Sequence, residues 1–90
     1  MEINRFPNKL KLYRKWCGYS QKKVARLLNL PDTSNLSRWE NGIAFPNIEQ
    51  LFQLACIYKK EPHDLYDDFW IELSNQFNLL NQNDSLINTN

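Results

Sequence analysis

The sequence predicts an all-α fold: five helices in an orthogonal bundle, with the last helix extended. Three observations predict it. Apolar residues recur at steps of three and four along most of the chain, and no segment sustains a period-two alternation. Capping and stopping residues fall where those patterns begin and end. The second and third helices are too short to run the length of an up-down bundle. Ninety residues, 42% of them hydrophobic, suit one domain, here assigned to residues 1–82, with 83–90 as a polar tail.

The first helix takes its face from Phe6, Leu10, Tyr13 and Cys17, widened by Leu12 and Trp16, and Gly18 ends it. Ser20 is the N-cap of the second, "QKKVARLL", which buries Val24, Ala25, Leu27 and Leu28 and leaves Lys22, Lys23 and Arg26 outside. In "NLPD", Pro31 bars continuation and Asp32 caps a third helix, about Thr33 to Asn41, closed by Gly42. "IAFP" reads as a loop. Asn47 and Gln50 have capping-box spacing at the head of the fourth helix. Its stripe is Ile48, Leu51, Ala55 and Tyr58, with Phe52 and Leu54 beside it. "KKEP" breaks that helix. The fifth is expected to run unbroken over about residues 63–82, with Leu65, Phe69, Leu73, Phe77 and Leu80 in register and Tyr66 and Trp70 alongside.

Net charge is +1, but its distribution is uneven. Residues 1–42 carry nine basic and three acidic side chains; residues 43–90 carry two and seven. A basic half beside an acidic half suggests a front that binds a polyanion and a back that avoids it. No apolar run approaches the roughly 20 residues that cross a bilayer, and the N-terminus has no signal-peptide core, so the expected location is the cytoplasm. Cys17 and Cys56 are read as buried, reduced thiols. No Cys/His set has zinc spacing. One histidine, His63, and no nucleophile–base constellation or Gly-rich phosphate loop leave no catalytic residue, metal or cofactor to assign; the chain is read as a non-enzyme.

The third helix, "SNLSRWE", is unusual in offering the core only Leu36 and Trp39. On a helical wheel these mark one edge, and Ser34, Ser37, Arg38 and Asn41 lie within about 50° of the opposite direction. Small hydroxyl and amide groups let a helix approach a surface closely. A lone arginine among them has the fork that donates two parallel bonds to a guanine edge in the major groove. A capped helix, a tight turn and a second short helix with an open polar face make a helix-turn-helix.

The segment "SQKKVARLLNLPDTSNLSRWENG" resembles the helix-turn-helix of the Cro/phage-repressor (xenobiotic response element) family. The matched features are Ser-Gln opening the second helix, Val-Ala within it, and "LSRWENG" closing the third. "FPNIEQLFQLACIY" and "DLYD" resemble that family's next two helices, so the likeness covers about Leu10 to Asp68. Two departures stand out. The stretch between Leu28 and Leu36 is one residue longer than the usual pattern, with Asn29 where glycine is usual. The loop "GIAFP" lacks the basic residue often found there.

The resemblance implies a lambda-repressor-like fold and binding to double-stranded DNA. It implies a phosphate contact at Gln21 and an ion pair between Arg14 and Glu40 that orients the third helix and aims Arg14 at a phosphate. Arg38 is the candidate base-reading residue. Thr33, Ser34 and Ser37 are candidates for base or phosphate contact, Asn41 for phosphate, and Lys22 for the surrounding basic field with Lys9, Lys11, Lys23 and Arg26. Trp39 is read as core. Family members usually act as dimers, and the fifth helix, with Leu65, Phe69, Trp70, Leu73, Phe77 and Leu80, is the expected homodimer surface unless it folds back over its own domain. The competing reading keeps the fold but makes it a protein-interaction module, an antitoxin or adaptor.

Overall fold

A computed structural model of the chain describes residues 5–87, with side chains through residue 78. It is all-helical: α1 (Leu10–Trp16), α2 (Gln21–Leu27), α3 (Ser34–Glu40), α4 (Ile48–Tyr58), α5 (Pro62–Leu65) and α6 (Asp67–Ile87). No described helix is long and apolar enough to cross a membrane. The core is built from Leu10, Val24, Leu28, Leu36, Trp39, Leu54, Ala55, Tyr58, Leu65 and Tyr66, so each of α1 to α5 contributes to it.

The caps expected at Ser20 and Asn47 form, whereas the N-cap of α3 is Thr33, without a side-chain cap bond, and Asp32 lies one residue before it. The Ser20 hydroxyl accepts the Lys23 N–H at 3.0 Å, and Asn47 and Gln50 close a reciprocal capping box. Asp32 accepts the Ser34 N–H at 2.9 Å. The first four helices stop alike, on one residue with positive φ: Gly18 (76°), Asn29 (59°), Gly42 (73°) and Lys59 (56°). After each, two amides turn back to orphan carbonyls. At Asn29, its own N–H reaches Arg26 O and the Leu30 N–H reaches Ala25 O at 2.8 Å. Asparagine in the usual glycine position thus makes the tight turn.

Several expectations are corrected. Phe6 precedes α1 and belongs to an extended segment. Leu12 and Trp16 do not widen a buried face: Trp16 is 69% exposed, and the Lys60 ammonium lies 5.7 Å from its ring and 4.9 Å from that of Tyr13. Leu27, Ile48 and Phe52 are also at least half exposed. At the end of α2 it is Leu28 that joins Val24 in the core, and on α4 it is Leu54, with Ala55 and Tyr58. Cys17 is half-buried and Cys56 is exposed, both as free thiols.

The predicted fifth helix is two helices. Tyr66 leaves the helical region (φ −126°, ψ 51°). The Leu65 carbonyl, which a continuous helix would offer to Phe69, instead accepts the Lys9 N–H at 2.9 Å, and Lys9 Nζ pairs with Asp67 at 2.9 Å. Leu65 is fully buried, and Phe69 packs half-buried on the core. The α6 helix then projects. The radius of gyration is 16.4 Å, against about 12 Å for a spherical domain of this length. Backbone helix continues to Ile87, into the segment expected as a polar tail; residues 88–90 and the Leu80 side chain lie outside those described.

Candidate nucleic-acid interface

The α3 helix has two chemically opposite sides. Leu36 and Trp39 are 0% and 4% exposed, so their edge is fully committed to the core. Ser34, Asn35, Arg38 and Asn41 are exposed, and Thr33 and Ser37 are half-buried. The wheel reading of the sequence is therefore realised in three dimensions, with Trp39 in the core. A weak 3.5 Å bond from Asn41 Nδ2 to Ser37 Oγ links two of the polar groups. Among the described residues Arg38 makes no ion pair, so its guanidinium remains available on the open side.

One carboxylate orients this helix. Glu40 accepts from Arg14 Nε at 2.6 Å and Arg14 Nη2 at 3.2 Å, and from Gln21 Nε2 at 3.0 Å. Arg14 spends a further N–H on the Tyr19 carbonyl at 2.9 Å. The two charged side chains are only 9% and 2% exposed. Three helices thus meet on Glu40: α1 through Arg14, α2 through Gln21 and α3 itself. The hydrogen bonds that Arg14 donates to Glu40 raise its pKa further, so this charge is permanent.

This arrangement keeps the ion pair expected from the resemblance but corrects the role of Arg14. It is a buried positioning group whose fork points inward, not an open phosphate contact. Gln21 is half-buried with its amide nitrogen committed to Glu40, between Ser20 and Lys22, which are exposed. Lys22 is exposed and shares with Arg26 and Thr33 the wall of a notch of about 480 Å³ between α2 and the turn before α3. Of the eight candidate residues, seven keep at least partial access to solvent around α2 and α3.

The sequence did not reveal what holds the far end of α3. The Phe6 N–H donates to the Gly42 carbonyl at 2.9 Å. Asn8 Nδ2 donates to Phe6 O at 3.1 Å and Trp39 O at 3.0 Å. The Phe6 ring lies 4.1 Å from that of Phe45 and 6.3 Å from that of Phe69, centroid to centroid. Residues 6–9 form a strap from the C-terminal end of α3 to the start of α6. Its only sequence signal is Phe6, whose spacing also fits an extended first helix.

Two buried phenols, Tyr58 and Tyr66, have hydroxyls without a partner, and burial raises both pKa values, Tyr66's to about 12. They stay neutral and act as packing. No metal-holding cluster of His, Cys, Asp or Glu occurs among the described residues.

A capped helix, a left-handed turn and a second short helix with an open polar face define a helix-turn-helix protein. A helix-turn-helix family model matches residues 10–65, more than half of the chain. The chain belongs to the Cro/C1-type helix-turn-helix family, a family of DNA-binding regulators. A search of curated proteins gave no match.

Proposed function

We propose that the protein is a sequence-specific regulator of transcription, a repressor acting in the cytoplasm, which sets α3 into the major groove of double-stranded DNA. The observation that carries this reading is the split of α3 into a fully buried Leu36–Trp39 edge and an open Ser34–Arg38–Asn41 face. In the proposed docking, Arg38 reads a guanine edge. Ser34, Ser37 and Thr33 contact bases or phosphates. Asn41, Gln21 and Lys22 contact the backbone. Repression requires only occupancy of a promoter, with no chemistry.

The test is selection of bound duplexes from a random pool, with wild type beside Arg38→Ala. The variant is expected to lose preference for one G·C pair, at a cost of about 1–3 kcal/mol on that site. An unchanged preference rejects the assignment.

One such domain covers few base pairs, and a two-fold dimer reads two half-sites about 34–36 Å apart. Leu65 is core and cannot serve as dimer surface. We assign pairing to the projecting part of α6, where Trp70 and Phe77 are 52% and 59% exposed and Leu73 lies between them. These three line one continuous apolar surface running back to Phe45 and Tyr66. Phe77→Asp is expected to give a folded monomer by sedimentation, with operator affinity lower by on the order of 100-fold. A wild type that sediments as a monomer at tens of micromolar sinks the proposal.

The second reading, a protein-interaction module, draws on a groove between α2 and α4 where Leu27, Ile48 and Phe52 lie open. Absence of salt-dependent duplex binding by the wild-type chain would favour it.

A further inference from the structure

We infer that Arg5 is a DNA-backbone contact, held at the C-terminal end of α3 by the strap. This rests on the DNA-binding reading above and extends it to a residue outside the helix-turn-helix. Three observations converge on it. First, the loop after α3, residues 42–47, contains no lysine or arginine. A polyanion lying along the exposed face of α3 meets no cation from that loop. Second, Arg5 immediately precedes Phe6, whose N–H is bonded to the carbonyl of Gly42, two residues past the end of α3. Arg5 is itself exposed. Third, the strap is fixed at several points rather than laid loosely on the surface. Gly42 is buried, and a Cβ there would fall 2.5 Å from Phe6 O and 2.8 Å from Phe6 N. Asn8 ties the same segment to Trp39 O, and Lys9 ties it to Leu65 O.

A fixed attachment matters because a phosphate contact gains when its donor is already in place. With Lys22 on the notch shared with Thr33 at the other end of the helix, the two cations bracket α3. Phosphates on either side of a major-groove helix are where such charges act, and they add affinity without reading sequence.

The test uses the full chain and measures duplex binding across a salt series, on a selected duplex and on an unrelated one. Removing one phosphate contact lowers the slope of log affinity against log salt by about 0.9, and at physiological salt this is a loss of about fivefold. Arg5→Gln is expected to show both changes on both duplexes, with base preference intact, and Arg5→Lys to restore most of the slope. In a Phe6→Ala background whose helicity is intact, Arg5→Gln is expected to change affinity by less than about twofold, because the donor is no longer held. Wild-type binding with an Arg5→Gln variant of equal affinity and slope overturns the contact. A full loss in the Phe6→Ala background overturns the strap's part in it. Failure of the wild type to bind any duplex would sink the DNA reading itself, and this contact with it.

Discussion

Glu40→Leu is expected to cost about 3–5 kcal/mol of folding stability, enough to leave a domain of this size barely folded. The cause is less the lost attraction than what remains. Arg14 would keep its charge in a site only 9% open, facing a hydrocarbon where its two strongest acceptors had been. Gln21 would lose its acceptor in the same step. Urea denaturation of the single variant beside the double variant Arg14→Met/Glu40→Leu separates the two contributions. Replacing both partners by apolar groups of similar size is often neutral in energy, so the double variant should recover most of the midpoint. Its duplex affinity should remain low, because α1, α2 and α3 no longer meet on one carboxylate. A single variant as stable as the wild type would show that the pair is not functionally buried.

The second large effect is expected at Gly42. Alanine there must hold a φ of 73°, and its Cβ must enter space already occupied by the Phe6 backbone at 2.5 Å. Backbone atoms have no rotamer to escape into, so the strap must lift from the end of α3. Left-handed backbone alone costs a side chain about 1–3 kcal/mol, and displacement of the strap adds to it, so a total of about 3 kcal/mol or more is expected. Gly18 provides the control. Its φ is 76°, but nothing lies within 4 Å of a Cβ built there, so Gly18→Ala should cost only about 1 kcal/mol. Equal midpoints for the two alanine variants in thermal or urea melts would mean that the strap is not seated on Gly42.

The contrast between these glycines shows what was readable in the chain. Both end helices, and both were legible as stops, because the local backbone conformation requires glycine. That one of them also receives a distant segment was not legible, because the partner lies more than thirty residues away. The same division holds elsewhere. Ser20, Asn47 with Gln50, and the αL turn at Asn29 depend on neighbours within a few residues, and they follow from the sequence. Lys59 takes the same left-handed conformation with no compositional cue at all. The break at Tyr66 depends on the Lys9 N–H capturing the Leu65 carbonyl, a contact across more than fifty residues, so periodicity carried the helix straight through it. Exposure of Leu27, Ile48 and Phe52 was missed because a stripe of apolar residues gives the direction of burial but not its width. At the candidate interface, the open face of α3 followed from angular spacing alone. The inward turn of Arg14 required the geometry of Tyr19 and Glu40 together.

The anchoring of α3 by its buried edge and by Glu40 has an evolutionary consequence. The side chains that anchor this helix are Leu36, Trp39 and Glu40, with the strap seated beyond its end at Gly42, whereas Ser34, Asn35, Arg38 and Asn41 are exposed. Surface exchanges remote from structural contacts seldom move stability by more than about half a kcal/mol. The outward positions are therefore free to drift or to be randomised in a library while the scaffold stays folded; under the proposed DNA-binding function, new operator preferences would arise without a detour through unstable intermediates.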